Sequence, residues 1–300
     1  MSALPAYVEY GARPTSPGPF HCQQGTLRGF VLKAEQARLA ALSHRAYTEP
    51  CGGSTRYSPW SEYVLLLLGG FQSVCATSAP FSGWGSVREV QASVWLPLIA
   101  STDDPLGPDR LVLAVPYILV DNPMSYLGGR EVYGYAKTMG RFAPASGLAA
   151  TVVVEAYGGD FGAGHQAGWH PLLEVSAAGG QGLGADSWVS ILELLLDVAP
   201  GLLEHPELLA ELLSGKPSQV FLKQFRDAQD GTRACFQEVL EAPVTVNGFS
   251  ASRLPGAWQV VFHSLDSHPI VAELGLMTPQ TAAAAFELTT DFVVEAGVAV

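Results

Sequence analysis

The sequence predicts an α+β fold dominated by strands: a closed, cone-like or barrel-like β architecture with peripheral helices. Three observations predict it. Apolar and β-branched runs bounded by glycine, proline and asparagine recur along the whole chain. Only one region, residues 186–214, is strongly helical in pattern. Strand and helix patterns do not alternate regularly, which excludes doubly wound and eight-fold α/β architectures. No period of 20 to 50 residues recurs, so a repeat architecture is excluded as well.

Residues 1 to about 25 read as an irregular, proline-rich lead-in. A strand is expected over Thr26–Leu32 and a short helix over Ala34–Arg45, ending before Tyr47-Thr48-Glu49-Pro50. Tyr63 to Leu68 is an unbroken apolar run, the mark of a strand covered on both faces. In "SVREVQASVWLPLIAS" a period of two puts Val87, Glu89, Gln91 and Ser93 on one face of a strand. In so apolar a chain that face lines a cavity or meets solvent, and spacing alone does not choose between them.

Leu111 to Val120 is a second long apolar strand, and Asp121-Asn122-Pro123 signals the turn that ends it. Thr151 to Tyr157 is β-branched and reads as a strand. The glycine-rich stretches at 158–168 and 179–184 lack the spacing of a phosphate-binding loop and are read as connections. Asp186 or Ser187 is suited to cap the helical region, and Pro200-Gly201 to divide it into two helices. "QVFLKQF" and "ACFQEVL" are expected to pair as a hairpin about Asp230-Gly231. "PVTVNGFSASRL", "AWQVVFHSL" and "FELTTDFVVEAGVAV" add further strands. One domain is expected to span residues 1–300, with the helical stretch as an elaboration on it.

Composition limits the function. A net charge of −12 argues against nucleic acid and against an anionic membrane surface, both of which call for basic patches. The most apolar long segment, Trp188 to Leu213, is broken by Glu193, Asp197, Pro200, Glu204 and Pro206, so no membrane span is expected. No secretory leader is visible at the start. Four scattered cysteines without a CxxC pair suit reduced thiols in a cytoplasmic protein. With 48% hydrophobic and 15% charged residues, subunit interfaces and hence a homo-oligomer are expected. Seven histidines give no HxxxH pair, so no metal is expected, and no motif implies any other cofactor.

One stretch concentrates chemistry: Gly128-Gly129-Arg130-Glu131-Val132-Tyr133-Gly134-Tyr135-Ala136-Lys137-Thr138. The chain has only four lysines (Lys33, Lys137, Lys216 and Lys223), so lysine is not used here as general solubilising charge. A lysine placed beyond a buried strand and two tyrosines is a candidate for an amine held out of water. Burial disfavours an ammonium and thereby makes an amine nucleophilic. A surface lysine at a strand end is the plain alternative.

The stretch "GGREVYGYAKTMGRF" resembles the "GRE…PKK" signature of the acetoacetate decarboxylase superfamily. The order and spacing of the C-terminal third, from Pro217 to "TDFVVEAGVAV", resemble that superfamily too. The resemblance implies its β-rich fold and an enzyme acting on a small-molecule carbonyl substrate. It implies that Lys137 forms the Schiff base, a use of activated lysine for which acetoacetate decarboxylase itself is the standard general example. Ala136 stands where the family has proline, and Thr138 where it has a second lysine. Glu89 matches an acid on an earlier strand that faces the lysine. The family's other acid falls within Val64–Leu68, so Leu67 is expected in the pocket wall. A family arginine near the first strand falls at Gln23 or Gln24, with Arg28 the nearest arginine. Arg130 is expected in a structural or hydrogen-bonding role. Of Tyr133 and Tyr135, one is expected to wall the pocket and the other to pack. The reading is a Schiff-base lyase, with decarboxylation, aldol, dehydration and cyclisation chemistry open. The competing reading is a hydrophobic small-molecule binding protein on the same fold.

Overall fold

A computed structural model describes residues 6–8, 15–102, 109–178 and 217–300. The helical elaboration expected at 186–214 lies outside them. Among the described residues no helix is long and apolar enough to cross a membrane.

The strands in chain order are β1 (Phe20–Lys33), β2 (Thr55–Pro59), β3 (Tyr63–Ala76), β4 (Val87–Thr102), β5 (Arg110–Val120), β6 (Lys137–Ala143) and β7 (Thr151–Gly158). After them come β8 (Gly168–Ala177), β9 (Ser218–Arg226), β10 (Ala234–Arg253), β11 (Trp258–Phe262), β12 (Gln280–Thr281), β13 (Ala284–Val294) and β14 (Val298–Ala299). Among the described residues three short α-helices accompany them: α1 (Gln36–Ser43), α2 (Pro123–Val132) and α3 (Ile270–Leu274). The β-dominated α+β class read from the sequence is the class observed.

All these strands belong to one hydrogen-bonded network. Its pairings return to their start through β4–β5–β9–β10–β13–β1–β3 and back to β4. A branch, β6–β7–β8–β11–β12, leaves this circuit from β5. The edge of β5 is therefore shared. Val112–Ala114 pair with β9, and Ile118–Val120 pair with the first residues of β6, both in parallel. Lys137 opens β6, directly beside Ile118, where that edge changes partners.

The apolar run of β3 shows why it carries no polar face. Leu66 and Leu68 pack into the main core with Phe30, Leu32, Leu96 and Leu98. Leu65 and Leu67 join a second cluster on the other face, with Leu27, Val31, Phe286 and Leu288. A strand buried on both sides has no reason to alternate. The main core is closed off by α1, through Leu39 and Leu42, and by Val152, Val154, Leu173 and Val260 of the branch.

Four boundaries differ from the sequence reading. The first strand starts at Phe20, because a bulge between Cys22 and Gly25 lets it continue into the lead-in. The first helix stops at Ser43 and runs on as a wider π-turn, His44–Thr48. β10 is one strand across Pro243, where pairing with β9 ends and pairing with β13 begins. The stretch Gly128–Val132 belongs to helix α2, outside the one helical region read from the sequence.

Candidate active site

The site is assembled by the segment between β5 and β6. Asn122 caps α2: its Oδ1 accepts from the amides of Met124 (2.9 Å) and Ser125 (3.2 Å). Asparagine followed by proline is a natural start for a helix, since the cap accepts the free amides and proline lacks one. Asn122 and the preceding Asp121 tie the helix to β4. Asn122 Nδ2 donates to Arg88 O (2.9 Å), Asp121 Oδ1 accepts from Val90 N (2.7 Å), and Asp121 N donates to Val90 O (3.1 Å). Both neighbours of Glu89 are thus held by the cap of the helix that carries Ser125.

The result is a contiguous polar trio. Lys137 Nζ lies 3.0 Å from Glu89 Oε2 and 2.5 Å from Ser125 Oγ, and Ser125 Oγ donates to Glu89 Oε2. Lys137, Ser125 and Glu89 are 8%, 8% and 4% exposed, so the ion pair is shielded from water and its charges interact strongly. Tyr135 supplies a further wall, its ring centroid 5.4 Å from Nζ, within cation–π range. Its hydroxyl donates to Gln219 Oε1, and burial holds the phenol well above its ordinary range, so it stays protonated.

Two glycines make the geometry reachable. Gly134, at φ +87°, brings the chain against β9, where a β-carbon would stand 2.6 Å from Lys223 Cα. Gly129 lies against the lysine stem: a β-carbon there would meet Lys137 Cδ at 2.8 Å and Cε at 2.9 Å. Arg130 is exposed. It donates to Lys137 O (3.1 Å) and sits over Tyr126, so it holds the backbone of the lysine and does not enter the site.

The trio opens on a cavity of about 310 Å³. Phe20, Phe71, Trp95, Ile118, Phe292 and Val294 supply much of its apolar lining, and Trp84 and Met124, both exposed, stand at its edge. Glu89 and Gln91 both reach it, as their shared strand face allows. Cys22 lines it too, and burial, with the nearby Glu89 carboxylate, pushes its thiol far up, so it is not a thiolate.

Other residues picked from the sequence lie elsewhere. Leu67 is buried in the second core cluster and is not among the described residues that line the cavity. Gln24 is exposed at φ +50° in the β1 bulge. Arg28 falls on the face of β1 that carries Phe30 and Leu32 into the main core, where it pairs with Glu287 (2.9 Å), donates to Ala149 O (2.8 Å) and stacks over Trp258. The bulge reverses the parity of β1: Cys22 points inward before it and Leu27 after it. Tyr133 packs, its hydroxyl donating to Val294 O and Glu295 O (3.2 and 2.9 Å), while Tyr135 walls the cavity. Thr138 Oγ1 is 3.0 Å from His268 Nε2, whose Nδ1 is 3.0 Å from Ser267 Oγ. Ser125 and Gln219 were not picked from the sequence. The pattern Asn-Pro-Met-Ser, which places a serine on the first turn of a capped helix, is the signal that points to Ser125.

No family model and no curated protein sequence matches the chain. Solved structures do. Acetoacetate decarboxylase from Legionella pneumophila superposes with a TM-score of 0.61 at 13% identity, covering 100% of this chain and 92% of that one. An acetoacetate decarboxylase-like enzyme from Sphingomonas wittichii gives 0.55 at 13%, with 99% of both chains covered. The enduracididine biosynthesis enzyme MppR, complexed with the condensation product of pyruvate and imidazole 4-carboxaldehyde, gives 0.52 at 10%, covering 96% of this chain and 92% of that one. The chain has the fold these enzymes share.

Proposed function

We propose that the protein is a Schiff-base-forming lyase acting on a small carbonyl compound, with Lys137 as nucleophile. One observation carries this reading: a buried lysine amine, 2.5 Å from a serine hydroxyl and 3.0 Å from a carboxylate, sits on the wall of a largely apolar cavity. The fold agrees with it, since the neighbours above include decarboxylases and an enzyme holding a condensation product.

The trio can activate its own amine. Ser125 touches both partners, so a proton can pass from the ammonium through the hydroxyl to Glu89, leaving amine and carboxylic acid. This exchanges a buried ion pair for two neutral groups, which a dry cavity favours more than water does. The amine then adds to the carbonyl, and the carbinolamine oxygen takes the proton back from Glu89 and leaves as water. An iminium remains, paired with the Glu89 carboxylate. The iminium is an electron sink for breaking or forming a bond at the adjacent carbon, and Glu89 is placed to move the proton.

The test is reductive trapping. Borohydride added with a reactive ketone should add mass to the peptide containing Lys137 and to no other. Spread of label over Lys33, Lys216 and Lys223, or no label, overturns the Schiff-base reading and leaves a hydrophobic binding protein.

A further inference from the structure

We infer that the substrate is an uncharged β-hydroxy ketone with an apolar body, cleaved between its α and β carbons, rather than a β-keto acid. The inference rests on the Schiff-base reading and adds the substrate class. It starts from the charges of the cavity. Among the described lining residues, Lys137 is the sole cation and Glu89 the sole anion. Arg28 and Arg130, the two arginines the sequence brought near the site, are committed to Glu287 and to Lys137 O.

Once Lys137 has become an iminium, Glu89 already balances it. A substrate carboxylate on the α or β carbon would then be a second buried anion beside Glu89, with no cation to receive it. A neutral substrate leaves the site balanced.

What the lining does offer is an amide. Gln91 is two residues from Glu89 on the same strand face, is 4% exposed, and lines the cavity. No hydrogen bond of its carboxamide is found among the described residues, and it is not one of the buried side-chain atoms left without a partner, so it is reached from the cavity. A carboxamide donates and accepts, which matches a hydroxyl and not a carboxylate alone. The remaining wall is mostly aromatic and aliphatic, with Thr15, Ser16, Ser86 and Gln219 as its other polar side chains. The cavity volume, about 310 Å³, is about twice the ~150 Å³ that admits a benzene ring.

The step balances. Lys137 and the ketone form the iminium and release water. The hydroxyl proton goes to the Glu89 carboxylate as the bond between the α and β carbons breaks. The β carbon leaves as an aldehyde, and the electron pair becomes the enamine double bond. Glu89 returns the proton to the α carbon, and water hydrolyses the iminium to the shortened ketone and free Lys137.

The experiment uses the purified full chain with the aldol adduct of acetone and benzaldehyde, with benzylacetone (the same skeleton without the hydroxyl), and with acetoacetate. Benzaldehyde release is read by absorbance, carbon dioxide by capture, and imine by borohydride trapping and mass. The expected result is benzaldehyde release with a kcat/KM at least ~10-fold above that for acetoacetate. Gln91→Leu should lower that release at least ~10-fold more than it lowers trapping of benzylacetone. Faster carbon dioxide release with acetoacetate trapped on Lys137 overturns the substrate class and leaves the Schiff base standing. Trapping of the adduct without cleavage overturns it equally. No trapping with any of the three overturns both readings.

Discussion

Gly129 and Lys137 occupy one another's space: the place of a β-carbon on Gly129 is 2.8 Å from Lys137 Cδ and 3.3 Å from Nζ. The lysine lies where it does because position 129 carries no side chain. Gly128, one residue earlier, has nothing within 4 Å of its missing β-carbon.

These neighbours therefore predict opposite outcomes. Gly129→Ala pushes the lysine stem away from Ser125 and Glu89, and borohydride trapping should fall more than about ten-fold. Its cost in stability is overpacking of roughly 1–3 kcal/mol, partly offset by the better helix propensity of alanine. Gly128→Ala lies in the same helix without that clash. It should gain about 0.5–1 kcal/mol, measured by denaturant unfolding. Equal effects from the two substitutions would mean that helix propensity, and not the lysine, sets the requirement for glycine.

Ser125 is the second case. Its hydroxyl joins the amine to the carboxylate, so Ser125→Ala should slow imine formation with a β-diketone by about 100-fold, the lower range for a lost proton-transfer group. Ser125→Thr keeps a hydroxyl on the same turn and should keep most of the rate. A merely structural serine would show loss in both variants, or in neither.

The shared face of Glu89 and Gln91 and the singular place of Lys137 were legible in the sequence, but spacing alone did not say whether that face meets a cavity. Glu89 and Gln91 stand on one face of a strand whose period of two survives up to the cavity. Lys137 stands in a glycine-rich stretch with few other lysines to compete with it. Ser125 was hidden because Asp121-Asn122-Pro123 was taken only as the end of a strand, when it is also the cap of a helix. Gln24 and Arg28 were misplaced by a bulge that no periodicity records, since it reverses the parity of β1 midway. Leu67 was misplaced for a subtler reason. A fully apolar strand shows that both faces are covered, but not which stretch of a face meets the cavity.

His268 gives a pH dependence away from the cavity. It is 4% exposed, and burial holds its imidazole below the usual 6.5, so it is neutral while its ring nitrogens meet Thr138 and Ser267. The sign follows. Above about pH 6.5 neither the folded nor the unfolded chain protonates it, and its environment contributes in full. As pH falls, the unfolded chain binds a proton that the folded chain resists, and that stability is lost as pH approaches the folded value. Denaturation midpoints should therefore decline below about pH 6.5, and His268→Gln should flatten the decline. A decline of unchanged slope in the variant would assign it to other groups.

The last prediction separates the two tasks given to Glu89. As the partner of the ammonium it stabilises the charged amine; as an acid and base it moves protons once the iminium exists. Glu89→Gln removes both at once, but in measurements that differ. Without the carboxylate, Lys137 is buried beside Ser125, Tyr135 and an amide, and the charged form loses its counter-ion. Removing one member of a buried pair costs roughly 3–5 kcal/mol if the other stays charged, so the amine should shed its proton instead. Acylation of Lys137 by a small electrophile should then be faster than in the wild type. Trapping of a ketone near neutral pH should persist. Exchange of the α proton of that ketone with deuterated water, read by NMR, should fall by about 100-fold or more, because no base remains at the iminium. If trapping and exchange fall together, Glu89 serves only to hold the lysine in place. If acylation is no faster than in the wild type, a different anion is the partner of Lys137, and the pair at 3.0 Å is not the one that governs its reactivity.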